Sequence, residues 1–168
     1  MPESTQSIVT PRPRFVAATQ DDPLAQPLLT ELAAEYAQRY DSTPHNVLTW
    51  LRGYPADEFA PPDGGLLIGV LDGIPVTGGA FRRYDADTAE LKRIWTDRAY
   101  RRRGYATALV AELEAEIAAR GYRRVYLMTG NRQPEAEALY HATGYIRLSE
   151  PLPSAEPVFP IAFVKDLP

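Results

Sequence analysis

The sequence contains no cysteine, and only two histidines, His45 and His141. Without cysteine there is no disulfide, no thiolate nucleophile and no sulfur-ligated metal. Two histidines do not make a multi-histidine site, so no metal is expected. An excess of positive charge is also missing: 18 Lys and Arg stand against 22 Asp and Glu, a formal charge of −4. That balance argues against general binding to nucleic acid or to a membrane surface. No apolar stretch is long enough to span a bilayer. The N-terminus lacks a basic segment followed by an apolar run, so no signal peptide is expected and a cytoplasmic location is the default.

What is present is ordinary globular composition, 45% hydrophobic and 24% charged over 168 residues, enough for one domain with its own core. Residues 1–11 read as a loose polar tail and 12–168 as a single domain. Arg14 to Ala18 is a candidate first strand. Leu29, Leu32, Ala33, Tyr36 and Tyr40 recur at helical spacing, which predicts a helix over 24–40, and a second short helix is expected over 46–51. A meander follows. Leu66 to Leu71 and Ile74 to Arg83 are joined by the hairpin turn Asp72-Gly73, and Thr88 to Thr96 is the third strand. Gly78-Gly79 marks either a bulge or a close backbone approach. Ala106, Leu109, Val110, Leu113 and Ile117 line one face of a long helix closed by Gly121. A strand over 125–129, a helix from Pro134 to Gly144, and strands over 145–148 and 161–164 complete the chain. The order gives an α/β fold with a mixed, largely antiparallel sheet, in which residues 88–129 form a βαβ crossover with parallel strands.

One stretch stands out in this acidic chain. Lys92, Arg93, Arg98, Arg101, Arg102 and Arg103 are opposed only by Asp97. The run Arg101-Arg102-Arg103-Gly104-Tyr105-Ala106 lies between an apolar strand and the long helix. A glycine-containing turn feeding a helix presents backbone N–H groups that no helical carbonyl accepts, and the helix dipole adds positive character there. Such a turn suits a phosphate, with arginines supplying balancing charge. Scattered arginines in a solvated turn would give the same composition. A dinucleotide-binding turn fits poorly, because Gly-x-Gly-x-x-Gly is absent and the preceding strands read as a meander.

These residues resemble the GNAT superfamily of acyl-CoA-dependent N-acetyltransferases. The superfamily pattern Gln/Arg-x-x-Gly-x-Gly/Ala reads here Arg101-Arg102-Arg103-Gly104-Tyr105-Ala106. Asn131, Ala138-Leu139-Tyr140 and Gly144-Tyr145 follow in the order the family shows. The resemblance spans about residues 12–165 and is specific over 89–148. It implies a sheet of six to seven strands flanked by about four helices, around a central βαβ cofactor-binding unit. It also implies acetyl-CoA as co-substrate. Arg101, Arg103, Gly104, Tyr105 and Ala106 would hold the pyrophosphate, and the backbone of Ile94, Trp95 and Thr96 would run along the pantetheine. The two parallel strands would splay to form the cleft. Asn131 would contact the cofactor, or else cap a turn.

The resemblance implies direct transfer of acetyl to a primary amine, through a tetrahedral intermediate without an acyl-enzyme. Tyr140 matches the family tyrosine that protonates the departing thiolate; otherwise it is a half-buried aromatic. Glu90, in Ala89-Glu90-Leu91-Lys92-Arg93, is the candidate general base, or a cross-strand partner for Arg82, Arg83 or Lys92. Tyr36, Tyr40, Trp50, Tyr54, Glu58 and Phe59 are candidates for the acceptor site, with core packing the competing role for the aromatics and a solvated loop charge for Glu58. A small-molecule amine is the leading acceptor. A protein or peptide amine, and an idle acyl-CoA-binding sensor, stay open. The final strand is open to exchange or pairing between subunits, which would give a homodimer.

Overall fold

The computed structural model describes residues 11–53, 56–130, 134–155 and 158–168. The elements are β1 (Arg14–Ala17), α1 (Gln26–Arg39), α2 (Pro44–Arg52), β2 (Gly65–Leu71), β3 (Ile74–Arg83), β4 (Thr88–Thr96), α3 (Tyr105–Ala119), β5 (Arg124–Thr129), α4 (Pro134–Ala142), β6 (Ile146–Arg147) and β7 (Ile161–Asp166). The strands form one seven-stranded sheet in the order β1-β2-β3-β4-β5-β7-β6. Among the described residues only β4 and β5 pair in parallel. The mixed, largely antiparallel sheet and the βαβ unit are as the sequence predicts.

Local chemistry accounts for the element ends. Asp72 and Gly73 take φ of 50° and 79°, the left-handed pair that closes a two-residue hairpin in register with strand twist. The first helix is not continuous over 24–40. Asp22 accepts a bond from Leu24 N at 2.9 Å and caps a short 3-10 turn over Pro23–Ala25, and α1 proper starts at Gln26. Pro27 then sits in the first turn of α1, where its missing N–H costs nothing. The second helix starts at Pro44, earlier than expected, because Thr43 caps it by accepting Asn46 N at 3.2 Å.

The sheet has a core on each face. Leu67, Phe81, Ala89 and Leu91 pack with Leu109, Val110, Leu113 and Ile117 of α3. Leu66, Ile68, Ala80 and Trp95 pack with Leu28, Leu29, Leu32 and Ala33 on and beside α1. Alternation along β2 explains its split, since successive side chains leave a strand on opposite faces. Strand β4 breaks that rule. Ala89 and Leu91 face α3, yet Trp95, also an odd-numbered residue, faces α1. The register explains the switch: Ala80 pairs with Lys92 and Gly78 with Trp95, so β4 carries one extra residue. The bulge is on β4, with Arg93 at φ 58°. It is not on the glycine-bearing β3. Gly78 and Gly79 serve close approach instead. A Cβ on Gly79 would lie 2.6 Å from Ile94 Cδ1, and one on Gly78 would lie 2.8 Å from Ile68 Cδ1.

The final strand is interior. Strand β7 pairs with β5 on one side and β6 on the other, so the sheet edges are β1 and β6. Simple edge pairing of β7 between subunits is therefore not offered by this arrangement. Of the expected tail, residues 1–10 lie outside the described residues, while the Pro11 carbonyl accepts a bond from Tyr105 Oη at 3.1 Å. Among the described residues no helix is long and apolar enough to cross a membrane.

Leu113 is fully buried at the centre of the α3 layer. Leu113→Ala should lower the unfolding free energy by about 3 kcal/mol, read as a reduced urea midpoint at unchanged slope.

Candidate active site

The site begins where one ladder ends. Strands β4 and β5 are joined from Thr88–Arg124 to Glu90–Tyr126, and there the pairing stops. Both strands continue, to Thr96 and Thr129. They part into a cleft of about 640 Å³, bordered by Leu91 to Thr96 on one side and Leu127 to Thr129 on the other. That volume suits a drug-sized ligand or a substantial part of a larger one. The splay expected from the resemblance is present.

The loop after β4 closes one end of the cleft. Asp97 turns the chain by accepting Ala99 N at 2.8 Å. Arg102 and Gly104 then take φ of 63° and 80°, and Tyr105 starts α3. Turns of this kind gather backbone amides into an anion-sized concavity. Among the described residues no side chain caps the start of α3, and its first intrahelical bond is Ala108 N to Gly104 O at 3.1 Å. The amides of the first turn therefore lie at the cleft without a helical acceptor, and Arg102, Gly104, Tyr105, Ala106 and Thr107 all line it. A Cβ built on Gly104 meets nothing within 4 Å, so the glycine answers to its left-handed backbone and to whatever approaches the loop. These features fit a diphosphate group.

The arginines divide in a way the sequence did not reveal. Arg101 forms a salt bridge with Glu35 of α1 and donates through Nε to the Thr96 carbonyl at 3.3 Å. Arg103 is exposed, its guanidinium 5.1 Å from the centre of the Tyr100 ring, and it does not border the cleft. Arg102 borders it. Ile94, Trp95 and Thr96 border the cleft. The Trp95 indole itself is buried on the α1 side and donates through Nε1 to Glu31, whose carboxyl is shifted upward mainly by burial. Thr77 Oγ1 donates to the Trp95 carbonyl at 2.8 Å.

Tyr140 projects from α4 into the far side of the cleft, 5% exposed. Its ring meets Tyr145 edge-on at 5.5 Å and Phe163 at 5.8 Å. Burial, with a smaller contribution from Tyr36, pushes its phenol well above the ordinary value near 10, so it carries its proton throughout the neutral range. Lys165 holds the helix that presents it, donating to the Thr143 carbonyl and to Glu114 Oε1, each at 2.8 Å.

Glu90 is the last residue of β4 paired with β5, at the vertex of the cleft, but it does not border the cavity. Its carboxylate is 3.0 Å from Arg82 Nε and 3.6 Å from Lys92 Nζ. Arg82 also reaches Glu58 at 2.8 Å. Glu90 and Glu58 thus share one arginine, and the cross-strand partnership is made. Glu58 stands with that cluster, outside the cleft lining. Tyr36 lines the cleft, and Tyr40 stands behind it, ring centres 6.2 Å apart. Tyr54 and Asn131 lie outside the described residues.

Sequence reasoning missed the polar face of α1. Glu31, Glu35 and Arg39 recur at four-residue spacing and face the sheet and cleft: Glu31 takes Trp95, Glu35 takes Arg101, and Arg39 forms a salt bridge with Glu135 of α4. The spacing was the available signal. Phe159, from the loop before β7, also lines the cleft and had no motif around it. Among the described residues no group of three or more metal-ligating side chains comes together.

The parallel strands of this α/β domain split beside the start of α3, and the resulting slot has the shape for an extended ligand with an anionic end. The sequence profile of the acetyltransferase (GNAT) family matches residues 26–145, and the chain belongs to that family of acyltransferases. No curated protein sequence matches it. The solved structures it resembles include a Klebsiella pneumoniae protein assigned as an acyl-CoA N-acyltransferase, at TM-score 0.73 and 22% identity over 92% of this chain and 97% of that one. PaiA N-acetyltransferase from Thermoplasma acidophilum, solved in complex with coenzyme A, gives 0.70 and 16% over 92% and 98%. A GNAT-family acetyltransferase from Elizabethkingia anophelis with acetyl-CoA bound gives 0.61 and 16% over 92% and 97%. At these identities the likeness concerns the fold.

Gly104→Val combines an unfavourable left-handed backbone with bulk at the loop. It should weaken acetyl-CoA binding by at least about tenfold in calorimetric titration, while the protein stays folded. Unchanged affinity would remove the loop from the binding site.

Proposed function

We propose that the protein transfers the acetyl group of acetyl-CoA to a primary amine of a small molecule, directly and without an acyl-enzyme. The observation that carries this reading is the split between β4 and β5 ending against the uncapped start of α3. An elongated ligand with a diphosphate fits a slot with amides at one end and open strand edge along its side. Acetyl-CoA supplies an acyl group activated as a thioester. The amides of Gly104, Tyr105 and Ala106, with Arg102 beside them, meet the diphosphate. Arg101, held by Glu35, adds field rather than a fork of donors. The edge of Ile94 to Thr96 receives the arm as an added strand, in the manner of β-augmentation. A backbone N–H at Ile94 or Trp95 polarises the carbonyl.

In the transfer, the amine nitrogen bonds to the acetyl carbon and the carbon–sulfur bond breaks. Tyr140 Oη gives its proton to the sulfur. Glu90, at the vertex and paired with Arg82 and Lys92, takes one proton from the alkylammonium through water before attack. The second N–H proton leaves as the tetrahedral intermediate collapses and returns to the Tyr140 oxygen, restoring the phenol. An alkylammonium of pKa about 10.4 is almost wholly protonated at neutral pH, so this deprotonation shapes the pH profile.

The test is calorimetric titration with acetyl-CoA, followed by free-thiol release over a panel of primary amines. Micromolar binding with amine-dependent release is expected. Binding with no release from any amine would make this a binding module, and no binding by folded protein would overturn the reading altogether.

Two substitutions test the proton assignments. Tyr140→Phe should lower kcat by about a hundredfold with acetyl-CoA affinity nearly unchanged. Because burial raises the phenol above its ordinary value, the wild-type enzyme should show no loss of rate from Tyr140 ionisation up to about pH 10. A descending limb near pH 9 that disappears in Tyr140→Phe would contradict this. Glu90→Gln should cost roughly tenfold or more at pH 6 and progressively less as pH rises and the amine deprotonates unaided. A uniform effect across pH would return Glu90 to its structural pairing.

A further inference from the structure

We infer that the acceptor of this enzyme is a monoamine with an aromatic body, held between Tyr36, Trp50 and Phe159. The inference rests on the acetyltransferase reading above and names the substrate class of that same site. Three different parts of the fold bring aromatic rings to the cleft: Tyr36 from α1, Trp50 from α2, and Phe159 from the loop before β7. Tyr40 joins two of them, with its ring centre 6.2 Å from Tyr36 and 6.4 Å from Phe159. Trp50 is 47% exposed, a large apolar surface to leave at the border of a cavity. Tyr36 is close enough to raise the Tyr140 phenol, which sets this aromatic wall beside the proposed acid.

Charge narrows the class. Among the described residues lining the cleft, the carboxylates are Glu35 and Glu135. Each is already in a salt bridge, with Arg101 and Arg39 respectively. A polyamine or an aminoglycoside brings two or more ammonium groups and calls for carboxylates to receive those that do not react. Here such a group would have to displace an arginine. A single ammonium needs no carboxylate, because the faces of tyrosine and tryptophan attract it while the ligand's own ring packs on theirs.

The experiment is calorimetric titration of the CoA-saturated protein with phenethylamine, tryptamine, n-butylamine and spermidine, repeated on Trp50→Ala and Phe159→Ala. The two arylalkylamines should bind about tenfold or more tighter than n-butylamine and spermidine. Each variant should lose several-fold to about tenfold of arylamine affinity while CoA affinity stays the same. In steady state the same variants should raise the arylamine KM and spare that of acetyl-CoA. Spermidine binding as tightly as tryptamine, or variants with unchanged arylamine affinity, would overturn the inference and leave acetyl transfer intact. If CoA fails to bind, the acetyltransferase reading falls first. Arylamine titration of the protein alone then decides: Trp50-dependent binding upholds the aromatic site and its absence ends it.

Discussion

The single extra residue in β4 is the constraint on which the site depends. Arg93 holds a left-handed backbone that is uncommon for any residue but glycine. It is kept there by buried contacts: Nη1 donates to Gln20 Oε1 at 2.7 Å, Nη2 donates to the Leu51 carbonyl, and the guanidinium lies 4.7 Å from the centre of the Phe59 ring. These partners come from the chain before α1, the end of α2, and the 3-10 turn that follows it. The bulge exchanges the faces of β4, sending the Trp95 indole to α1 and Ile94 toward α3. It therefore sets which backbone groups of β4 reach the cleft. Packing on both faces of the sheet fixes one local distortion, and the distortion fixes the chemistry-bearing edge.

Much of this was legible beforehand. The Asp72-Gly73 turn, the meander, the amphipathic stripe from Leu109 to Ile117 and the Arg101–Ala106 loop each carry a local signal, and each is where the sequence put it. The splayed strands were different: nothing in spacing or composition shows them, and they were expected only from the family resemblance. Less was legible wherever the answer depended on residues distant in the chain. The bulge could be sensed near Gly78-Gly79 but not assigned to the opposite strand, since a register shift belongs to a pair of strands. The division of labour among the arginines could not be read either. Arg101 is taken by Glu35, sixty-six positions away, and no local pattern announces that.

The carboxylates show the same limit from another side. In the sequence Glu90 reads either as a base or as a partner of Arg82, Arg83 or Lys92, and Glu58 as a candidate for the acceptor site. In the fold they converge on Arg82, and Lys92 stands beside Glu90. A charged residue in a strand is as often a cross-strand partner as a reagent, and here the partnership exists whatever further part Glu90 plays. Tyr140 is the contrasting case. Its motif led to the cleft, and burial keeps its phenol protonated. Its orientation depends on Tyr145, Phe163 and the Lys165 contact that secures the end of α4.

The charged face of α1 has a consequence for the dimensions of the cleft. Glu35 holds the loop that starts α3, and Arg39 holds α4. These two residues are four positions apart on one helix, a separation of about 6 Å along its axis. A rigid helical turn therefore acts as a gauge between the anion-binding end of the cleft and the helix that carries Tyr140. The strands diverge, and these two ion pairs tie both sides of their open end to the one helix. Relatives that shift this pair by a residue would hold the two walls at a different angle without any change in the sheet.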